Sequence, residues 1–160
     1  MGYTLTAASS GLTGATSALF DVADRLVFTT QPAGAAAGTA FTTQPVVAVR
    51  AGPTNAATHD NGTAVTLAIQ AGTGAAGAIL TCTGGLTKTA ANGVASFTGC
   101  KIDKASPTLP ANPYRLVAAA TNLLSAISNT LAVTAGPATK LGFIAAPSAA
   151  TAGQAFPTQP

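Results

Sequence analysis

Short apolar runs, the clearest of them with a period of two, recur along this chain. Val65, Leu67 and Ile69 alternate with Thr66, Ala68 and Gln70, which sets three branched side chains on one face of an extended strand. Similar short runs lie at residues 26–28, 41–49, 78–82, 86–88, 94–98, 114–120 and 129–134, with Pro, Gly and Asn-Gly stretches between them. The alanine-rich pieces at 33–37 and 56–57 contain good helix formers, but Gly34, Gly38, Pro53 and Asn61-Gly62 beside them predict loops. The pattern predicts an all-β chain in which about seven short strands form an antiparallel sandwich.

A longer period lies over this one. Residues 3–22 (YTLTAASSGLTGATSALFDV) realign with 114–133 (YRLVAAATNLLSAISNTLAV), and residues 23–45 (ADRLVFTTQPAGAAAGTAFTTQP) realign with 138–160 (ATKLGFIAAPSAATAGQAFPTQP), with 20 of 43 positions identical. A period above 100 residues is the size of a domain, which predicts a tandem array of independent domains and not a short-repeat solenoid. The expected division is residues 1–22 as the last strands of a preceding repeat, 23–137 as a complete domain and 138–160 as the start of a following one. Met1-Gly2 then reads as a start joined to a segment of a longer protein.

Composition bears on what such a row of domains does. Charged residues make up 7% of the chain against 48% hydrophobic, much of the latter alanine, and there is no Glu. Thr, Ser, Gly and Asn supply the polarity instead, as suits exposed strand faces and turns. The net charge of +3 comes from seven scattered Lys and Arg without a basic run, which argues against a nucleic-acid partner. No stretch of 18 apolar residues is free of interruption, so no membrane insertion is expected.

Cys82 and Cys100 lie in two alternating runs on either side of residues 89–93 (TAANG). With those five residues as a hairpin loop and Gly93 at positive φ after Asn92, the midpoint falls at Ala91 and the two cysteines come opposite one another. A disulfide is expected, which would place the protein in an oxidising compartment. The alternatives are two buried thiols or half a metal site; zinc needs four ligands, and the remaining soft candidate is His59.

The runs LVFTTQP, AGTAFTTQPVVAV, VTLAIQAGTG, AILTCTG, ANGVASFTGCKIDKA and YRLVAAATN resemble the bacterial Ig-like domains that form long tandem arrays in surface and secreted proteins, and are similar to the invasin and intimin type. The resemblance covers the complete repeat and both partial ones. It implies an Ig-like sandwich in an extracellular or cell-surface protein, with the stretch around Asn92-Gly93 as the turn before a late strand. This chain departs from the family after the second strand, where relatives often carry a short Asp-rich turn and this one has residues 50–62, RAGPTNAATHDNG. A calcium site between domains is therefore not carried over.

Candidate chemistry is sparse. His59-Asp60 is an imidazole beside an acid, but no third group of a relay is visible and the setting predicts a solvated loop. Asp60-Asn61-Gly62 offers two oxygen ligands where calcium takes six to eight, and Asn61-Gly62-Thr63 matches a glycosylation acceptor whose simpler role is a turn. Arg50, His59, Asp60 and Asn61 form a candidate binding loop, alongside residues 106–113. An isopeptide cross-link normally uses a buried acid, and here Asp falls at loop-like positions only. There is no Trp; Phe28, Phe41, Phe97 and Phe143 fall on strand runs as core residues, and Tyr114 is expected to pack inside with its hydroxyl on a backbone carbonyl at a corner. No cofactor is implied. The leading expectation is a non-catalytic stalk or spacer, partnered by neighbouring repeats and able to form dimers or fibres through its terminal strands. The alternative is a module that binds glycan or protein through its loops.

Overall fold

The computed structural model describes residues 2–52, 54–107, 112–138 and 151–154. Among these the chain is all β, with no helix. In chain order the strands are β1 (Thr6–Ala7), β2 (Ala15–Thr16), β3 (Arg25–Thr30), β4 (Ala35–Ala36), β5 (Val46–Ala51), β6 (Asn55–Ala56) and β7 (Ala64–Ile69). They continue with β8 (Leu80–Thr81), β9 (Thr87–Thr89), β10 (Val94–Ser96), β11 (Lys101–Ile102), β12 (Leu116–Ala119), β13 (Ala126–Ile127) and β14 (Val133–Thr134).

Two four-stranded sheets hold the centre. One has the order β10-β5-β3 with β6 folded back on the end of β5; the other runs β13-β12-β7-β9, and all pairings in both are antiparallel. Their apolar faces meet in one buried cluster, to which β3 gives Leu26 and Phe28, β5 gives Val47 and Val49, β7 gives Val65 and Leu67, and β12 gives Leu116 and Ala118. The period-two pattern of β7 accounts for its side of this: Val65 and Leu67 point inward, while Thr66 faces outward and meets Thr87 of β9 at 2.8 Å. Each fully covered Val, Leu or Phe contributes about 1.5–3 kcal/mol, so this cluster dominates the stability of the centre. Phe97 and Tyr114 are the largest of its fully buried side chains. The Tyr114 hydroxyl donates to the Lys104 carbonyl at 3.0 Å, as expected for a corner tyrosine. Phe143 lies outside the described residues.

Three local expectations are corrected. Ala35–Ala36 and Asn55–Ala56, read as loops, are short strands: β4 runs parallel to β14 and β6 pairs β5. The β4 approach is close enough that a Cβ on Gly34 would sit 2.1 Å from the Ala132 carbonyl oxygen, so a glycine is what lets the two segments meet. The loop at 89–93 is in fact a two-residue turn, with Ala91 and Val94 exchanging both backbone hydrogen bonds across Asn92 (φ 51°) and Gly93 (φ 75°). Both central residues at positive φ match the twist of the flanking strands. The flanking strands do not continue as a hairpin, because β9 joins β7 in one sheet and β10 joins β5 in the other. They meet again at β8 and β11, where Leu80 faces Ile102 and Thr81 faces Lys101. The next pair in that register is Cys82 and Cys100, joined by a disulfide with Cα atoms 3.9 Å apart.

The 111-residue repeat recurs in the backbone. β1 and β2 pair Thr6 with Thr16 and Ala7 with Ala15; β12 and β13 pair Val117 with Ile127 and Ala118 with Ala126. Tyr3 exchanges two hydrogen bonds with Phe20, as Tyr114 does with Leu131. Even the side-chain bonds match: Ser17 Oγ accepts the Leu5 N–H at 2.9 Å and Ser128 Oγ accepts the Leu116 N–H at 2.9 Å, each serine donating to the next carbonyl.

Candidate functional site: the loop and turn junction

The structure brings two of the sequence-derived groups together. Asp60 Oδ1 accepts the N–H groups of Gly62 and Thr63, both at 3.0 Å, which folds the loop back on itself before β7. That fold presents Asn61 Oδ1 to the Asn92 N–H at 2.8 Å and the Asp60 carbonyl to the Gly93 N–H at 2.7 Å. The Gly93 carbonyl in turn accepts from Val49 of β5. Burial works to raise the Asp60 pKa, but the hydrogen bonds from the Thr63 hydroxyl and from the Gly62 and Thr63 N–H groups outweigh it and hold the carboxyl below its ordinary value. Arg50 is separate from this junction. Its guanidinium donates to the Thr54 carbonyl, and its own carbonyl accepts the Asp24 N–H.

His59 faces away from the turn, toward the segment that leads in from the β1–β2 hairpin. Asp21 Oδ2 accepts the His59 N–H at 2.7 Å and lies 3.3 Å from His59 Nδ1. That backbone bond, with the ring contact, outweighs desolvation and lowers the Asp21 pKa. Asp24 carries the strap further: its carboxylate binds Arg25 at 3.1 Å and accepts the Gly52 N–H at 3.0 Å, and both contacts lower its pKa. Sequence reasoning missed Asp21, which lies 38 residues from His59, as the third member of this group. Thr58 Oγ1 is 3.5 Å from the same Nδ1 that meets Asp21. A nucleophile relay needs the hydroxyl and the carboxylate on opposite ring nitrogens, so these three groups are not arranged as one.

No cluster of three or more His, Cys, Asp or Glu among the described residues is disposed to hold a metal ion. A shallow surface depression is lined by Ala64, Thr66, Ala119, Ala120 and Thr121, and another by residues of the β1–β2 hairpin; neither contains a titratable side chain. In the second candidate loop Ser106 is buried, its N–H donating to the Val133 carbonyl and its hydroxyl oxygen accepting the Val133 N–H, while residues 108–111 lie outside the described residues. The polar groups singled out from the sequence thus mostly bind one another: they lock a turn to a loop and strap the incoming segment to the sheet. The chain matches no known protein family, no curated protein and no solved structure.

Proposed function

We propose that the chain is a non-catalytic spacer, a section of a stalk built from tandem Ig-like sandwiches in a large bacterial surface or secreted protein, such as an adhesin. The observation that carries the reading is the recurrence of one hairpin, with its register and its serine bonds, 111 residues apart. Two features add support. The straps from Asp21 to His59 and from Asp24 to Gly52 fix the angle at which the preceding hairpin meets the sandwich, as a stalk requires. The disulfide suits an oxidising environment outside the cell. Recognition of a ligand by the 50–62 loop draws less support, because Asp60 and Asn61 direct their side chains to their own backbone and to the adjacent turn.

The test is a length measurement. Proteins carrying one, two and three complete repeats in series should give rods whose maximum dimension in small-angle X-ray scattering grows by about 40 Å per repeat, from strands rising roughly 3.3 Å per residue plus loops. A dimension that fails to grow with repeat number refutes the spacer role, and specific capture of a sugar by a single repeat on a glycan array would replace it with the binding one.

A further inference from the structure

The β1–β2 hairpin is built like the β12–β13 hairpin but lacks its cover. Tyr114, Leu116, Leu131 and Val133 are 0%, 0%, 1% and 1% exposed; their counterparts Tyr3, Leu5, Phe20 and Val22 are 46%, 67%, 36% and 61% exposed. An apolar face of the same sequence pattern and the same register is therefore formed and left open to solvent. Tyr3 and Phe20 lean on each other, with ring centroids 6.1 Å apart, and leave the rest of the face bare.

The structure also shows what such a face accepts. Over β12–β13 lies the segment that begins at β3: Leu26 N–H donates to the Leu124 carbonyl at 2.9 Å, Leu124 N–H donates to the Asp24 carbonyl at 2.9 Å, and Leu26, Phe28 and Phe41 share the buried cluster with Leu116 and Leu131. The chain carries a second version of that segment, since residues 23–45 realign with 138–160 and place Leu141, Phe143 and Phe156 at the positions of Leu26, Phe28 and Phe41. One protomer thus holds an uncovered hairpin at its start and the sequence of the matching cover at its end.

We infer that residues 138–160 of one copy cover the open face of the β1–β2 hairpin of a second copy, repeating between molecules the contact that residues 23–45 make with β12–β13 within one. The contact is head-to-tail, with different surfaces on the two partners, so it either closes into a ring of two or more protomers or extends into an open chain. Backbone pairing supplies attraction and the leucine and phenylalanine positions supply register, as in strand addition generally. In a longer natural chain the same face would take its cover from the preceding repeat, so the contact in trans reproduces the junction in cis.

The experiment uses the full chain and two double variants. In one, Leu5→Asp and Phe20→Asp spoil the open face; both side chains are exposed in the protomer, so the central domain should melt as before. In the other, Leu141→Asp and Phe143→Asp spoil the cover. Sedimentation velocity over a hundredfold range of concentration should show the unaltered chain growing through multiples of one protomer mass, while each variant alone stays at one mass. An equimolar mixture of the two variants should give a species of two masses that stops there, since one sound face and one sound cover remain. An unaltered chain that stays monomeric throughout, including one whose ends fold back on their own protomer, overturns the inference. Variants that still assemble alone, or a mixture that does not pair, also overturn it. None of these outcomes touches the rod-length measurement, so the spacer reading stands or falls separately.

Discussion

Replacing Gly93 with alanine tests the turn and loop junction at its tightest point. Gly93 sits at φ 75°, and a Cβ there would lie 2.3 Å from the carbonyl oxygen of Ala57, a fully buried residue. The positive φ alone costs an alanine about 1–2 kcal/mol. The steric conflict is with backbone, so no side-chain rotation relieves it and the turn must withdraw. Withdrawal strains the bonds from Gly93 N–H to Asp60 and from Val49 N–H to Gly93, 2.7 and 2.8 Å long; losing two such bonds costs roughly 2 kcal/mol. The lost flexibility of the unfolded chain returns about 0.5 kcal/mol, leaving a net destabilisation of about 3 kcal/mol. For a domain of this size that is a fall in Tm of roughly 15 °C. The control is Gly72→Ala, at φ 77° with no atom within 4 Å of the added Cβ, which isolates the conformational term. Thermal melts of the two variants should differ by at least about 8 °C, the part assigned to the clash. If Gly93→Ala melts no lower than Gly72→Ala, the junction is looser than drawn and the reasoning fails.

Reducing the Cys82–Cys100 bond, which spans 18 residues, should remove about 3 kcal/mol by the chain-entropy estimate; calorimetry with and without reductant checks it, and an unchanged Tm refutes it. Tyr114→Phe removes the donor to the Lys104 carbonyl and should cost about 1–2 kcal/mol, whereas Tyr3→Phe at the exposed counterpart should stay within about 0.5 kcal/mol in the same denaturant titration. Asp21, Asp24 and Asp60 all have lowered pKa values in the folded state. Their contribution is therefore complete above the unfolded value of about 3.9 and is lost as pH falls through the lower folded values. Amide exchange at His59, Gly52 and Gly62 should stay slow down to about pH 4 and speed up below it relative to exposed amides; a rise between pH 7 and 5 would contradict the assignment.

A period-two run made β7 legible, because a sheet with one covered face writes its pattern directly into the sequence: Val65, Leu67 and Ile69 mark the strand on their own. Short strands held by distant neighbours could not be read this way. β4 is two alanines that become a strand only because Val133–Thr134 runs beside them, and β13 is hidden among polar residues until Val117 and Ala118 pair with it. The cysteine pairing was read from a midpoint at Ala91 that the turn does not keep: the register of Ala91 with Val94 would set Cys82 opposite Asp103, and Cys82 meets Cys100 because the chain leaves that register as its strands part into different sheets. At the candidate site, the turn at Asn61-Gly62 could be read, but the partners of His59 and Asn61 lie 38 and 31 residues away and nothing in the local pattern points to them.

The parallel pairing of β4 with β14 has a mechanical consequence. Tension applied through the two ends draws β14 toward its C-terminal end while β4 is held back through β3, so the two strands are sheared past each other. The bond from Ala37 N–H to Thr134 and the β4–β14 ladder then resist together and do not unzip one at a time. Once they give way, the disulfide keeps the stretch between Cys82 and Cys100 from paying out, which shortens the extension released by roughly 60 Å at about 3.5 Å per residue. Stretched singly in an optical trap, each domain should therefore yield in one step whose length increases by that amount on reduction. A row of such domains would act as a shock absorber with a built-in stop.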